Sequence, residues 1–267
     1  MTSASNRREI FLNEMGLGPV WTRRDTVPVI SEPAAQNGVS PESAVAAEET
    51  RSAPNAAPDM VAALGTAPSA SEISEMDWVQ LKTAVAGCTK CGLCRSRTKT
   101  VFGTGDEKAK WLFIGEGPGR NEDMQGEPFV GPAGKLLDNM LLAIGLKRGE
   151  NAYIANIVKC RPTGADGRDR PPSPEEAAAC MPYLQRQIAL IQPAIIVALG
   201  KTAALSLLGL DQDTPVAQLR GKVHRFAGLP LVVTYHPAYL LRKLTDKGKT
   251  WSDLCLAMST YADNNRK

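Results

Sequence analysis

Four short, almost wholly apolar runs punctuate the last two thirds of the chain: 110–115 (KWLFIG), 152–158 (AYIANIV), 194–199 (AIIVAL) and 231–235 (LVVTY). Between and after them lie segments whose apolar residues return every three or four positions. One is 134–144, with Leu136, Leu137, Met140, Leu141 and Ile144 on one face; the others are 174–191, 201–208 and 250–261. A short apolar run bounded by turn residues is the pattern of a strand buried on both faces, and the longer periodicity is that of a helix. Strand and helix in alternation predict an α/β fold: three-layer α/β/α with a short, mostly parallel four-stranded central sheet. In such sheets ligands bind beyond the carboxyl ends of the strands, so chemistry is expected just after residues 114, 158, 199 and 235.

The first quarter of the chain lacks this pattern. Residues 26–75 are rich in Ala, Ser, Pro and Glu, too poor in apolar surface to offset the entropy of ordering, and are expected to form a disordered linker. Before it, residues 1–25 contain Ile10, Phe11, Met15 and Leu17 at near-helical spacing. This short amphipathic segment is expected either to dock a replication or repair protein or to add a flap to the body, which the pattern places at 76–267. Charge divides at the same point. Residues 1–75 hold 5 Lys/Arg against 10 Asp/Glu, whereas 76–267 hold 26 against 18, a body of about +8. A basic body favours a polyanionic partner, because phosphate contacts release counterions. No apolar stretch reaches a membrane span and no signal peptide opens the chain, so a cytosolic protein is expected; it is separately expected to be a monomer.

The expected strand ends carry unusual residues. The first leads into 115–119 (GEGPG), which is not G-x-G-x-x-G and in which Pro118 removes an amide donor, so a nucleotide cradle is disfavoured. The second contains Asn156, and the fourth leads into 236–242 (HPAYLLR). His236, one of two histidines, suits a structural hydrogen bond or a catalytic one; its place after a strand end, beside apolar residues and a cation, favours catalysis. Of six cysteines, Cys88 and Cys91 form a CxxC pair, with Cys160 and Cys180 downstream. Four thiolates of this kind hold zinc or an iron–sulfur cube, and spacing alone does not choose between them. Cys94 reads as a spare thiol and Cys255 as helix core.

Taken together, 88–97 (CTKCGLCRSR), 101–105 (VFGTG), 115–119 (GEGPG), 127–134 (EPFVGPAG), 156–162 (NIVKCRP) and 236–242 (HPAYLLR) resemble, in order, the family 4 uracil-DNA glycosylases, the iron–sulfur branch of their superfamily. The resemblance implies an enzyme that flips uracil out of DNA and hydrolyses its N-glycosidic bond, leaving an abasic site for base excision repair. It places a [4Fe–4S] cluster on Cys88, Cys91, Cys160 and Cys180, as a structural element.

It also assigns roles in the site. Phe129 would stack on the flipped base, and Asn156 would match the O4 and N3–H edge of uracil. Glu122 would crowd C5 and help exclude thymine. His236 and the Gly117 amide would stabilise charge at O2, and Glu116 would position water or the sugar cation. Leu240 would wedge into the vacated stack, with Arg242 on a phosphate. A related branch traps DNA covalently through a histidine in a longer basic loop. The loop holding His224 lacks that insert, so release of free uracil is expected. The alternatives are that covalent binder and a non-enzymatic iron–sulfur DNA-binding module.

Overall fold

The computed structural model describes residues 67–264 and Arg266; the segment at 1–25 and most of the expected linker lie outside them. Two capped helices open the described chain, α1 (Ala70–Glu75) and α2 (Trp78–Ala86). Each begins with a reciprocal capping box: Ser69 with Glu72, and Asp77 with Gln80. These boxes satisfy amides that a helix start otherwise leaves open. The expected linker boundary at residue 75 therefore needs correction. Ile73 is fully buried against Leu81, Val85, Phe102 and Tyr183, so one well-placed apolar side chain and a cap bring 70–75 into the folded body despite its composition.

The remaining elements are β1 (Thr104–Gly105), β2 (Trp111–Gly115), α3 (Arg120–Gln125), α4 (Pro132–Ala143), β3 (Ala152–Asn156), α5 (Pro174–Ile191), β4 (Ile195–Leu199), α6 (Lys201–Leu208), α7 (Val216–Leu219), β5 (Val223–Phe226), β6 (Leu229–Thr234), α8 (Pro237–Leu240) and α9 (Lys247–Asn264). The sheet runs β1-β3-β2-β4-β6-β5, six strands where four were expected. The four expected strands form its parallel centre. The two extra ones are antiparallel edges, and neither had a readable apolar signal. β1 is two residues long, while β5 is half exposed and joins β6 through Ala227 and Gly228, both at positive φ, as a tight hairpin turn requires.

Every residue of β2, β3 and β4 is buried, and alternate side chains serve opposite layers. Leu112 and Ile114 join Leu184 and Ile188 of α5 with Leu205 of α6. Trp111 and Phe113 join Leu137 and Leu141 of α4 with Leu254 of α9. This two-sided burial is the three-layer α/β/α arrangement. Because β2 lies between β3 and β4, the chain leaves β2 towards one side and returns on the other. The switch point, where an α/β sheet opens a crevice, therefore falls between β2 and β4, and the pairing of Gly115 with Asn156 sets the carboxyl ends of β2 and β3 beside it.

Candidate active site

A cleft of about 230 Å³ sits over those strand ends and is lined by Glu116, Gly117, Glu122, Phe129, Asn156 and His236, among others. Six residues singled out in sequence, spread over 121 positions, are thus brought to one place. The volume lies below that of pockets for drug-sized ligands and is on the scale of a single base.

Asn156 ends β3 and is 2% exposed, yet its Oδ1 has no hydrogen-bond partner. A buried amide oxygen left alone costs about 1–3 kcal/mol, so it marks a position awaiting a donor. Its backbone carbonyl accepts from Nζ of Lys159 at 2.9 Å. Burial lowers that fully enclosed ammonium to a pKa of about 8. Gly115, at the end of β2, packs directly against Asn156 and Phe129. A Cβ there would come within 2.5 Å of Asn156 Oδ1 and 2.7 Å of Phe129 Cζ, so only glycine lets these two groups approach the strand.

His236 caps α8, its Nδ1 accepting from the Ala238 amide at 3.2 Å. Burial, and then the positive charge of Arg242, hold its pKa down to about 4. At neutral pH the ring is therefore uncharged. With Nδ1 occupied as an acceptor, the proton sits on Nε2, which is free to donate. The Phe129 ring stacks on His236, with centroids 5.5 Å apart and planes inclined by 29°.

Phe129 holds a left-handed backbone (φ 56°), which for a bulky side chain costs of order 1–2 kcal/mol. Glu122 helps to hold it: Oε1 accepts from the Val130 and Gly131 amides at 3.0 and 3.3 Å. The carboxylate expected to crowd C5 is thus already engaged on the turn that presents Phe129. Glu116 accepts a short hydrogen bond from Thr202 Oγ1, at the start of α6. Thr202 orients this carboxylate, and nothing in the sequence near it, 86 positions away, signalled the pairing.

The structure places Leu240 differently from the expectation. It is 1% exposed, packed with Leu137, Met140 and Leu254, so it is core and not a free wedge. Its neighbour Leu241 is 42% exposed, and Arg242 beside it is also exposed. A four-residue helix turns adjacent side chains to different sides, and the motif alone does not say which leucine faces out. His224 lies on β5, with Nε2 2.7 Å from the Leu219 carbonyl, and is not part of the cleft.

Cys88, Cys91, Cys160 and Cys180 line a second cavity, together with Cys94, Arg97, Lys159 and Tyr183. All six cysteines are free thiols. Among the described residues no group of three His, Cys, Asp or Glu side chains converges tightly enough to hold a single ion; the sulfurs ring a space. Arg97 donates to Cys160 Sγ at 3.2 Å and to the Cys88 and Ala86 carbonyls at 2.8 and 3.0 Å. Burial pushes the Cys180 thiol up to about 12 and raises Cys91 and Cys160 as well. Such thiols ionise at neutral pH only when a metal displaces the proton. Asp123 of α3 ties this region to the cleft by accepting from the Thr98 and Lys99 amides.

Comparison with known proteins gives the same picture. Residues 102–255 match the model of the Uracil DNA glycosylase superfamily. The chain is 44% identical over 163 residues to a type-4 uracil-DNA glycosylase of Archaeoglobus fulgidus, covering 59% of this chain and 79% of that protein. It is 40% identical over 187 residues to one of Pyrobaculum aerophilum, covering 68% and 93%. To one of Thermotoga maritima it is 43% identical over 164 residues, covering 61% and 82%. The matched stretch contains the cleft and its strand ends, and with those features in place the chain belongs to the uracil-DNA glycosylase superfamily, in its type-4 branch.

Proposed function

We propose that this protein excises uracil from DNA by hydrolysing the N-glycosidic bond in the cleft above β2 and β3. The observation that carries this reading is the pairing of an unsatisfied, buried Asn156 Oδ1 with an uncharged His236 across one base-sized cleft. Uracil offers N3–H to Asn156 Oδ1 and O4 to its Nδ2. Cytosine presents an unprotonated N3 and an amino group instead, leaving buried polar groups unpaired, which is how such sites reach large discrimination. Phe129 stacks on the ring. As the bond to deoxyribose lengthens, negative charge builds on the leaving base. Nε2–H of His236 and the Gly117 amide supply donors for it at O2, the preorganised stabilisation on which such reactions mainly depend. Glu116, oriented by Thr202, lies where a carboxylate can hold the attacking water or stabilise the sugar cation. The products are free uracil and an abasic site.

The ring of Cys88, Cys91, Cys160 and Cys180 fits a [4Fe–4S] cluster. Four thiols surround a space, and Arg97 and the buried Lys159 face it with positive charge suited to a thiolate-ligated centre. Held by these cysteines, such a cluster would tie the 88–97 loop to the segment after β3 and to α5, while base removal itself needs no electron transfer. Exposed Leu241, not Leu240, is the side chain that would enter the vacated base stack, and Arg242 contacts a phosphate.

The test is incubation of purified protein with uracil-containing and matched thymine-containing oligonucleotides, followed by alkali. Strand breaks at uracil alone are expected. Their absence in protein that retains its iron would overturn the assignment, and protein covalently attached to DNA on a denaturing gel would point to the covalent binder instead.

A further inference from the structure

We propose that Arg148 is a positioning residue for base excision, clamping the left-handed turn that places Phe129 over the pocket. The inference rests on the reading of Phe129 as the stacking residue.

The guanidinium is spent entirely on this turn and its anchor. Nη1 donates to the Pro128 carbonyl and Nη2 to the Phe129 carbonyl, each at 2.9 Å. Nε donates to Asp138 Oδ1 of α4 at 2.9 Å, and Glu127 lies 3.6 Å from Nη1. The side chain is only 21% exposed. Glu122 meanwhile grips the turn from the other side through the Val130 and Gly131 amides. Gly134 completes the fit, since a Cβ there would overlap the Phe129 carbonyl. A non-glycine residue at φ 56° persists only where its surroundings over-determine it. Here the carbonyls are fixed by one ion and the amides by another of opposite charge.

Arginine suits the task because its planar fork reaches two carbonyls and a carboxylate at once. A lysine ammonium on a flexible stem does not reproduce that geometry. Without the fork, the turn can relax towards negative φ, and the ring leaves its place against His236. Arg148 touches neither base nor sugar in this account and acts only through Phe129.

The experiment is a double-mutant cycle on the intact protein: Arg148→Lys, Phe129→Ala and the double variant, measured by single-turnover uracil release, with inhibition by free uracil and thermal melting alongside. Arg148→Lys should slow release roughly 10- to 100-fold, as expected for a small misplacement of a positioned group. Uracil inhibition should weaken in parallel, and the double variant should be no slower than Phe129→Ala alone. Multiplicative effects of the two substitutions would overturn the clamp while leaving the stacking role of Phe129 standing. Normal release by Phe129→Ala would overturn both. If Arg148→Lys does not fold, Asp138→Ala, which removes the acceptor of Nε but spares both carbonyl contacts, enters the same cycle with a smaller effect of the same sign.

Discussion

His236 shows how much a single environment decides. An imidazole in water is half protonated near pH 6.5, but here burial and Arg242 keep it neutral to about pH 4. The unfolded chain therefore binds more protons than the folded one between those values. Stability contributed by this group is complete above about pH 6.5 and is lost as pH falls through 4, for a full cost of about 3 kcal/mol. Two outcomes follow for solution work. The acid limb of the single-turnover rate should fall near pH 4, not near 6.5, and the melting temperature should decline across the same window. Replacing His236 with Asn should cost two to three orders of magnitude in rate, comparable to the loss of one oxyanion donor, and should flatten the acid limb. An unchanged profile in His236→Asn would show that some other group sets it.

At the scale of elements, α8 separates two leucines that the motif treats alike. Leu240 lies under α4 and α9, so Leu240→Ala should cost about 2–5 kcal/mol of stability, read from denaturant melts, whatever DNA is present. Leu241 has no comparable packing. Leu241→Ala should leave stability within about 0.5 kcal/mol while slowing release from double-stranded substrate more than from single strands, where no stack has to be held open. Equal slowing on both substrates would argue against a wedge at this position. Gly115 makes a similar point about β2. Gly115→Ala puts a methyl group against Asn156 and Phe129, so uracil release should fall while the sheet, paired to β3 and β4, still forms.

For the molecule as a whole, charge and the cysteine ring set the behaviour. The excess of 26 basic over 18 acidic residues in 76–267 predicts DNA affinity that drops steeply with added salt, measurable as a linear fall of log affinity against log salt. A salt-independent affinity would remove the electrostatic account. The cysteine cavity joins the 88–97 loop to the end of β3 and to α5, and Asp123 carries the connection on to α3 beside the cleft. On the proposed [4Fe–4S] reading, stripping iron with a chelator should lower the melting temperature and increase proteolysis within the 88–97 loop. Loss of iron with no change in either would mean that the cluster does not pin these segments. Among the described residues no helix is long and apolar enough to cross a membrane.

Much of this was legible in sequence because its causes are local. Four buried strands announce themselves as apolar runs, and α5 and α6 begin and end where periodicity places them. Glu116, Asn156 and His236 lie on or beside strand ends, where the architecture alone directs attention, whereas Phe129, on the loop between α3 and α4, was named by the family resemblance. Other features escaped because they depend on partners distant in the chain or on a single dihedral. The edge strands β1 and β5 are too short or too exposed to pattern, and α1 was hidden by composition until Ile73 found Tyr183 across the fold. Sequence determined the family, the parallel core and the residue types of the site, since these rest on hydrophobic spacing and side-chain chemistry. Only the tertiary structure decided which leucine faces outward, that Thr202 orients Glu116 and that Arg148 holds Phe129, because each depends on a direction in space that no spacing along the chain encodes.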